Sequence, residues 1–182
     1  MKEKRTMAVK MEKKYVLTNR RSGKMLAACN GAAVQMTEDG SDVQIWRAVP
    51  AEGTAVQLVN KATGLALTVS GEAENGTVLT LAEPEGSAAQ LWKLTTTTRG
   101  FRKVMHAASG KVVDIKDISD SDYAPAQLWE FVKGENQDWV LTEVEKEAKA
   151  PVKRAVKEVK AEKPARAAAK TTKTAKAPKK TK

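Results

Sequence analysis

The sequence has one cysteine and one histidine in 182 residues, and each scarcity removes a class of chemistry. Cys29 has no partner for an internal disulfide, so the fold must rest on its core and backbone hydrogen bonds, as suits a reducing compartment. His106 has neither a second histidine nor a partner cysteine, so no zinc ligand set can be assembled. No run approaches the ~20 apolar residues that span a membrane. The basic start, MKEKRTMAVKMEKKYVL, is not followed by the apolar stretch of a signal peptide. LAAC at 26–29 has the form of a lipoprotein cleavage box, but NRRSGK stands upstream of it instead of an apolar segment. These absences predict no transmembrane segment and a cytoplasmic location, with non-classical export left open.

Catalytic and metal signatures are equally scarce. There is no nucleophile beside a base in a known motif and no glycine-rich phosphate loop. Asp117, Asp120 and Asp122 in DISDSD approach the spacing of a calcium loop but lack its central glycine and closing glutamate, and read as a solvated acidic loop. Many carboxylates are present, yet nothing singles out a glycosidase pair. No cofactor, metal or catalytic set is assigned.

What is present is uneven in charge. Residues 15–144 hold 12 Lys and Arg against 16 Asp and Glu, residues 145–182 hold 14 against 4, and residues 1–14 hold 6 against 2. The formal charge of +10 is therefore a mildly acidic domain with basic ends.

That central part repeats three times, over about 15–53, 54–99 and 100–144. YVLTNRRSGKMLAA, VQLVNKATGLALTV and RKVMHAASGKVVDI align on Gly23, Gly64 and Gly110. Asn19, Asn60 or His106 stands four residues before the glycine, and His106 is expected to do the turn's hydrogen bonding as the two asparagines do. The flanks alternate apolar and polar residues about a turn, the form of a β-hairpin. A third strand follows around Val34, Val78 and Ala126, and a fourth carries Gln-x-Trp, as Gln44 to Trp46, Gln90 to Trp92 and Gln137 to Trp139. Twelve short strands without helical periodicity make the domain all-β.

A second Gln-x-Trp, Gln127 to Trp129, breaks the pattern. The anchors lie 46 and 47 residues apart, whereas Gln127 lies only 37 beyond Gln90. Gln127 to Trp129 therefore belongs to the third strand of the last unit, where the other units have Gln35-Met36-Thr37 and Leu79-Thr80-Leu81.

Three such units, each closing on Gln-x-Trp, resemble the ricin B-chain-like lectins, which implies a β-trefoil over about 15–144. In that family Gln and Trp are chiefly structural. The resemblance therefore assigns Trp46, Trp92 and Trp139 to the core, and Gln44, Gln90 and Gln137 to satisfying backbone groups between units. It places sugar binding on an acidic residue after the first hairpin, an aromatic ending the third strand and an Asn before the anchor Gln. The first unit has Ala27, Thr37 and Val43 at these places, the second Thr68, Leu81 and Ala89. The third has Asp114, Trp129 and Asn136, followed by Gln137, with Gln127 as support.

These residue types suit a pyranose, whose C–H face stacks on an indole and whose hydroxyls bond to carboxylate and amide. The expectation is a non-catalytic module binding a galactose-type glycan weakly at one site. Trp129→Ala and Asp114→Ala are each expected to abolish retention while leaving the thermal melt nearly unchanged.

From Glu145 the chain becomes rich in Lys, Ala and Pro, resembling linker-histone tails, and is expected to be disordered or partly helical. Spaced lysines on a flexible chain suit DNA, RNA or another polyanion, or simply solubilise. A second class of function therefore stands beside the lectin: a nucleic-acid-binding or scaffold protein whose trefoil no longer binds sugar.

Overall fold

The computed structural model describes residues 12–144, so the readings made on 1–11 and on the tail from 145 lie outside the described residues. The first unit contains β1 (Lys13–Asn19), β2 (Met25–Cys29), β3 (Ala32–Met36) and β4 (Ile45–Pro50). The second contains β5 (Val56–Asn60), β6 (Ala66–Val69), β7 (Leu79–Ala82) and β8 (Trp92–Thr96). The third contains β9 (Arg102–His106), β10 (Val112–Ile115), β11 (Ala126–Trp129) and β12 (Trp139–Glu143). Lys13 and Lys14, assigned by charge to the N-terminal extension, are already in the first strand.

The first and fourth strands of the units close a six-stranded antiparallel barrel, in the order β1, β4, β5, β8, β9, β12 and back to β1. The hairpins β2–β3, β6–β7 and β10–β11 cap one end. They meet through Ala32 opposite Thr80 and through bridges from Val34 to Pro125 and Val78 to Gln127. This is a β-trefoil. The turns between first and second strands need a left-handed residue, and Gly23, Gly64 and Gly110 supply it at φ of 69, 73 and 74°.

Threefold positions fill the core in layers: Leu17, Leu58 and Val104 in the first strands, and Leu26, Leu67 and Val113 in the second, all fully buried. Trp46, Trp92 and Trp139 are also fully buried. Each indole donates its N–H to a second-strand carbonyl of its own unit, at Leu26, Leu67 and Val113, over 2.8, 2.9 and 3.2 Å. Removing an indole's roughly 200 Å² from water, at about 25 cal/mol per Å², stabilises the fold by about 5 kcal/mol before entropy is counted.

The anchor glutamines act within units rather than between them. Each ends a single 3-10 turn, Asp42–Gln44, Ala88–Gln90 or Glu135–Gln137, just ahead of the tryptophan strand. The amide nitrogen donates to the carbonyl seven residues earlier, at Thr37, Glu83 or Glu130. The amide oxygen accepts from the backbone N–H five residues earlier, at Asp39, Glu85 or Val132. Each glutamine therefore staples its own loop between third and fourth strands.

Candidate functional site

The departure from threefold symmetry lies on β10. Asp114 occupies the position of Ala27 and Thr68, four residues after the turn glycine, and is only 5% exposed. A buried carboxylate needs partners, and three amides supply them. Gln127, opposite Asp114 in the β10–β11 register, donates to Oδ1 over 3.0 Å. Asn136 and Gln137, side by side on the turn before β12, donate to Oδ2 over 2.7 and 3.0 Å. Asn136 also reaches the Ile115 carbonyl at 3.1 Å. Burial pushes the Asp114 carboxyl above its usual range, and the three amides pull the other way without winning.

Asp114 is thus neither a solvated turn carboxylate nor removable without cost. Asp114→Ala would leave buried amide donors short of an acceptor, at about 1–3 kcal/mol, so the expectation of an unchanged melt does not hold for that variant. Gln137 is fully buried and holds Asp114 from behind. It does not line the cleft, where it was expected to meet sugar.

Asp114, Gln127 and Asn136 form the polar part of a cleft of about 490 Å³. Among the described residues neither Gln127 Oε1 nor Asn136 Oδ1 accepts a hydrogen bond, and both side chains line the cleft. The rest of the lining faces solvent: the charged Lys116 and Asp117 stand beside an apolar set in which Trp129 is 37% exposed, Ile118 55% and Val132 63%. Gly76, from the second unit, passes under the indole and donates its N–H to the Leu128 carbonyl. Wet apolar walls around a buried acceptor cluster can bind a ring with one C–H face and a hydroxyl edge.

Ile118, Val132 and Gly76 were not singled out from sequence, although an isoleucine inside an otherwise acidic loop is a detectable oddity. Its backbone is strained: Asp117 and Ile118 both have positive φ, 56 and 52°, and for a β-branched residue that is an outlier. The first unit holds the loop in place. Gln35 donates to the Ser119 and Ser121 carbonyls, and Arg21 donates to the Ile118 carbonyl. Asp120 and Asp122 pair with Arg21 and Lys24 while staying exposed, so the acidic loop is solvated, as read from the sequence, and also touches the first unit through ion pairs.

Strand register revises the comparison between units. Trp129 faces Val112, just as Met36 faces Met25 and Ala82 faces Ala66. The counterparts of Trp129 are therefore Met36 and Ala82, not Thr37 and Leu81. Neither is aromatic, so the third unit alone combines an acid, an aromatic and an asparagine.

The description "ricin-type β-trefoil lectin domain" matches residues 54–180, and "ricin-type β-trefoil lectin domain-like" matches residues 7–82. No curated protein matches the sequence. Among solved structures, the designed threefold-symmetric protein ThreeFoil is 30% identical, with a TM-score of 0.69 over 72% of this chain and 99% of its own. An exo-β-1,3-galactanase from Clostridium thermocellum is 34% identical with a TM-score of 0.69 over 72% of this chain. The similarity spans only 30% of the galactanase chain. A ricin B-like lectin from Macrolepiota procera, solved in complex with lactose, is 18% identical with a TM-score of 0.64, over 70% of this chain and 93% of its own.

Proposed function

The chain belongs to the ricin-type β-trefoil lectin domain family, and from that premise we propose that it is a non-catalytic carbohydrate-binding module with a single glycan site, in its third repeat. The observation that carries this reading is the buried Asp114 carboxylate, held by Gln127, Asn136 and Gln137 beside the exposed Trp129. The other two units have Ala27, Met36 and Val43, or Thr68, Ala82 and Ala89, in the equivalent places. A galactose-type ring would lay its C–H face on Trp129 and give hydroxyl protons to Asp114.

One shallow site of this kind binds with a dissociation constant on the order of millimolar to tens of micromolar, roughly −4 to −6 kcal/mol. A glycan array of the full chain tests the reading. Wild type should retain galactose-type sugars and Trp129→Ala should not, with matching thermal melts. A wild type that ignores every glycan refutes it.

Residues 145–182 complete the proposal as a polyanion-binding tail, supported by their 14 Lys and Arg against 4 acidic residues. The loss of the residue set in two units favours the second reading, a nucleic-acid-binding scaffold that has left sugars behind. A chain ending at Val144 separates the two. Glycan retention that survives truncation supports the module, whereas DNA retention lost on truncation without any glycan signal supports the scaffold. Absence of turnover on chromogenic glycosides is the outcome expected of a binding module, and cell fractionation should find the protein in the cytoplasm.

A further inference from the structure

Six of the twelve Lys and Arg between 15 and 144 form ion pairs with described carboxylates. Lys93, Arg99, Arg102, Lys103, Lys116 and Lys133 have no such pair among the described residues. Three of these, Arg99, Lys103 and Lys133, line one cleft of about 330 Å³. In a stretch with a formal charge of −4, such a cluster of uncompensated cations is a local reversal of sign. Lys103 Nζ lies 4.3 Å from the centre of the Phe131 ring, which positions it without neutralising it. The one carboxylate in the wall, Asp138, is buried and its Oδ2 is bound by Arg20 at 3.1 Å. Its Oδ1 and the Thr97 hydroxyl are buried without a partner among the described residues.

This cleft shares a wall with the Asp114 cleft. Phe131 and Lys133 line one, while Val132 and Gly134 line the other, so alternate residues of a single segment face opposite sides. Lys133 holds the segment's left-handed position at φ 62°. Consecutive Cα atoms are about 3.8 Å apart, so a ligand seated on Asp114 and Trp129 needs only to cross this ridge to meet the cations. The acidic surroundings, Glu130 and Glu135 among them, suit one localised anion better than a long polyanion.

We propose that the Arg99–Lys103–Lys133 cleft is a subsite for an anionic group on the bound glycan, either a sulfate ester or a uronate carboxylate, so that the preferred ligand is an acidic galactose-type oligosaccharide. The inference rests on the sugar reading of the Asp114 cleft. Charge-assisted hydrogen bonds from three cations to one anion would raise affinity, and part of that gain would be screened by salt.

The test is calorimetric titration of the full chain with lactose, 3′-sulfated lactose and a glucuronyl-galactose disaccharide. At least one acidic ligand should bind about tenfold tighter than lactose, given the strength of charge-assisted bonds, and the one that does identifies the anion. In the triple variant Arg99→Gln, Lys103→Gln, Lys133→Gln the gain should vanish while lactose affinity stays. Lys133→Glu, a single change at an exposed position, should turn the gain into a penalty. Equal affinities for acidic and neutral ligands in wild type, with lactose binding intact, overturn this inference alone. So does a gain that survives the triple variant, or binding of sulfated lactose that survives Trp129→Ala. No binding of any of the three sugars overturns the sugar reading as well.

Discussion

A methyl group placed on Gly134 would stand 2.6 Å from the side-chain oxygen of Asn136. The backbone of Gly134, at φ −69 and ψ 148°, is open to any residue, so the glycine is required by the space that Asn136 occupies and not by its own conformation. Asn136 is thereby free to turn its nitrogen to Asp114 and to the Ile115 carbonyl.

Gly134→Ala should therefore displace the Asn136 amide and disturb the acceptor cluster without straining the chain. Sugar affinity is expected to fall about tenfold, or ~1.4 kcal/mol, with a change in thermal midpoint smaller than that of Asp114→Ala. Titration and melting of the two variants side by side check this. Unchanged affinity in Gly134→Ala would remove Asn136 from the site.

Acid should weaken binding earlier than an ordinary aspartate would. Burial holds the Asp114 carboxyl above 3.8, ahead of the opposing amides. A carboxyl raised by folding contributes stability that is complete below the unfolded value and is lost as pH rises through the folded value. Ionised Asp114 is thus a burden on stability at neutral pH, but in the proposed site it is the form that would accept sugar hydroxyls. Affinity should drop as pH falls through a midpoint above 3.8, while the contribution of this residue to stability grows. Asp114→Asn should show neither trend, as titrations and melts across pH would reveal.

The three anchor glutamines should separate structure from binding. Gln44, Gln90 and Gln137 each satisfy a carbonyl and an N–H of their own loop. Truncating any of them to alanine should destabilise the domain by about 1–3 kcal/mol. Only Gln137→Ala also releases Asp114, so only that variant should lose sugar affinity, by several-fold. Denaturant unfolding of the three variants paired with glycan titration measures both effects.

The repeat was legible in sequence because a left-handed turn admits little but glycine, and because a fully buried indole with its N–H bonded leaves few substitutes at Trp46, Trp92 and Trp139. Asp114, Trp129 and Asn136 were legible for a related reason: acid, indole and amide are conspicuous where the other units have alanine, methionine or valine. The exact counterparts of Trp129 were not. Two residues separate β2 from β3, nine separate β6 from β7, and ten separate β10 from β11. Counting along the chain therefore slips by one, and a slip of one changes the face of a strand. The roles of Gly134, Ile118 and the three cleft cations depend on which loops meet in space, which no local pattern encodes.

His106 tests the threefold frame itself, because it stands where the other units have asparagine. Asn19 and Asn60 donate to the carbonyls of Asn136 and Val43, in the turns before the anchors, and accept from their own loop N–H groups. His106 reproduces this with its ring: Nε2–H donates to the Ala88 carbonyl at 3.0 Å, and Nδ1 accepts from Ser109 Oγ at 2.9 Å. The ring also packs against the core indole Trp92, 5.3 Å between centres. Burial pulls its pKa below 6.5, with the Ala88 bond opposing. A base depressed by folding contributes stability that is present above the unfolded value and is lost as pH falls through the folded value. The melting temperature of wild type should accordingly decline as pH falls below 6.5, while His106→Asn, which restores the residue of the other two units, should flatten that decline. Parallel pH profiles for the two proteins would show that His106 titrates alike in the folded and unfolded chain, against the lowering expected from its burial.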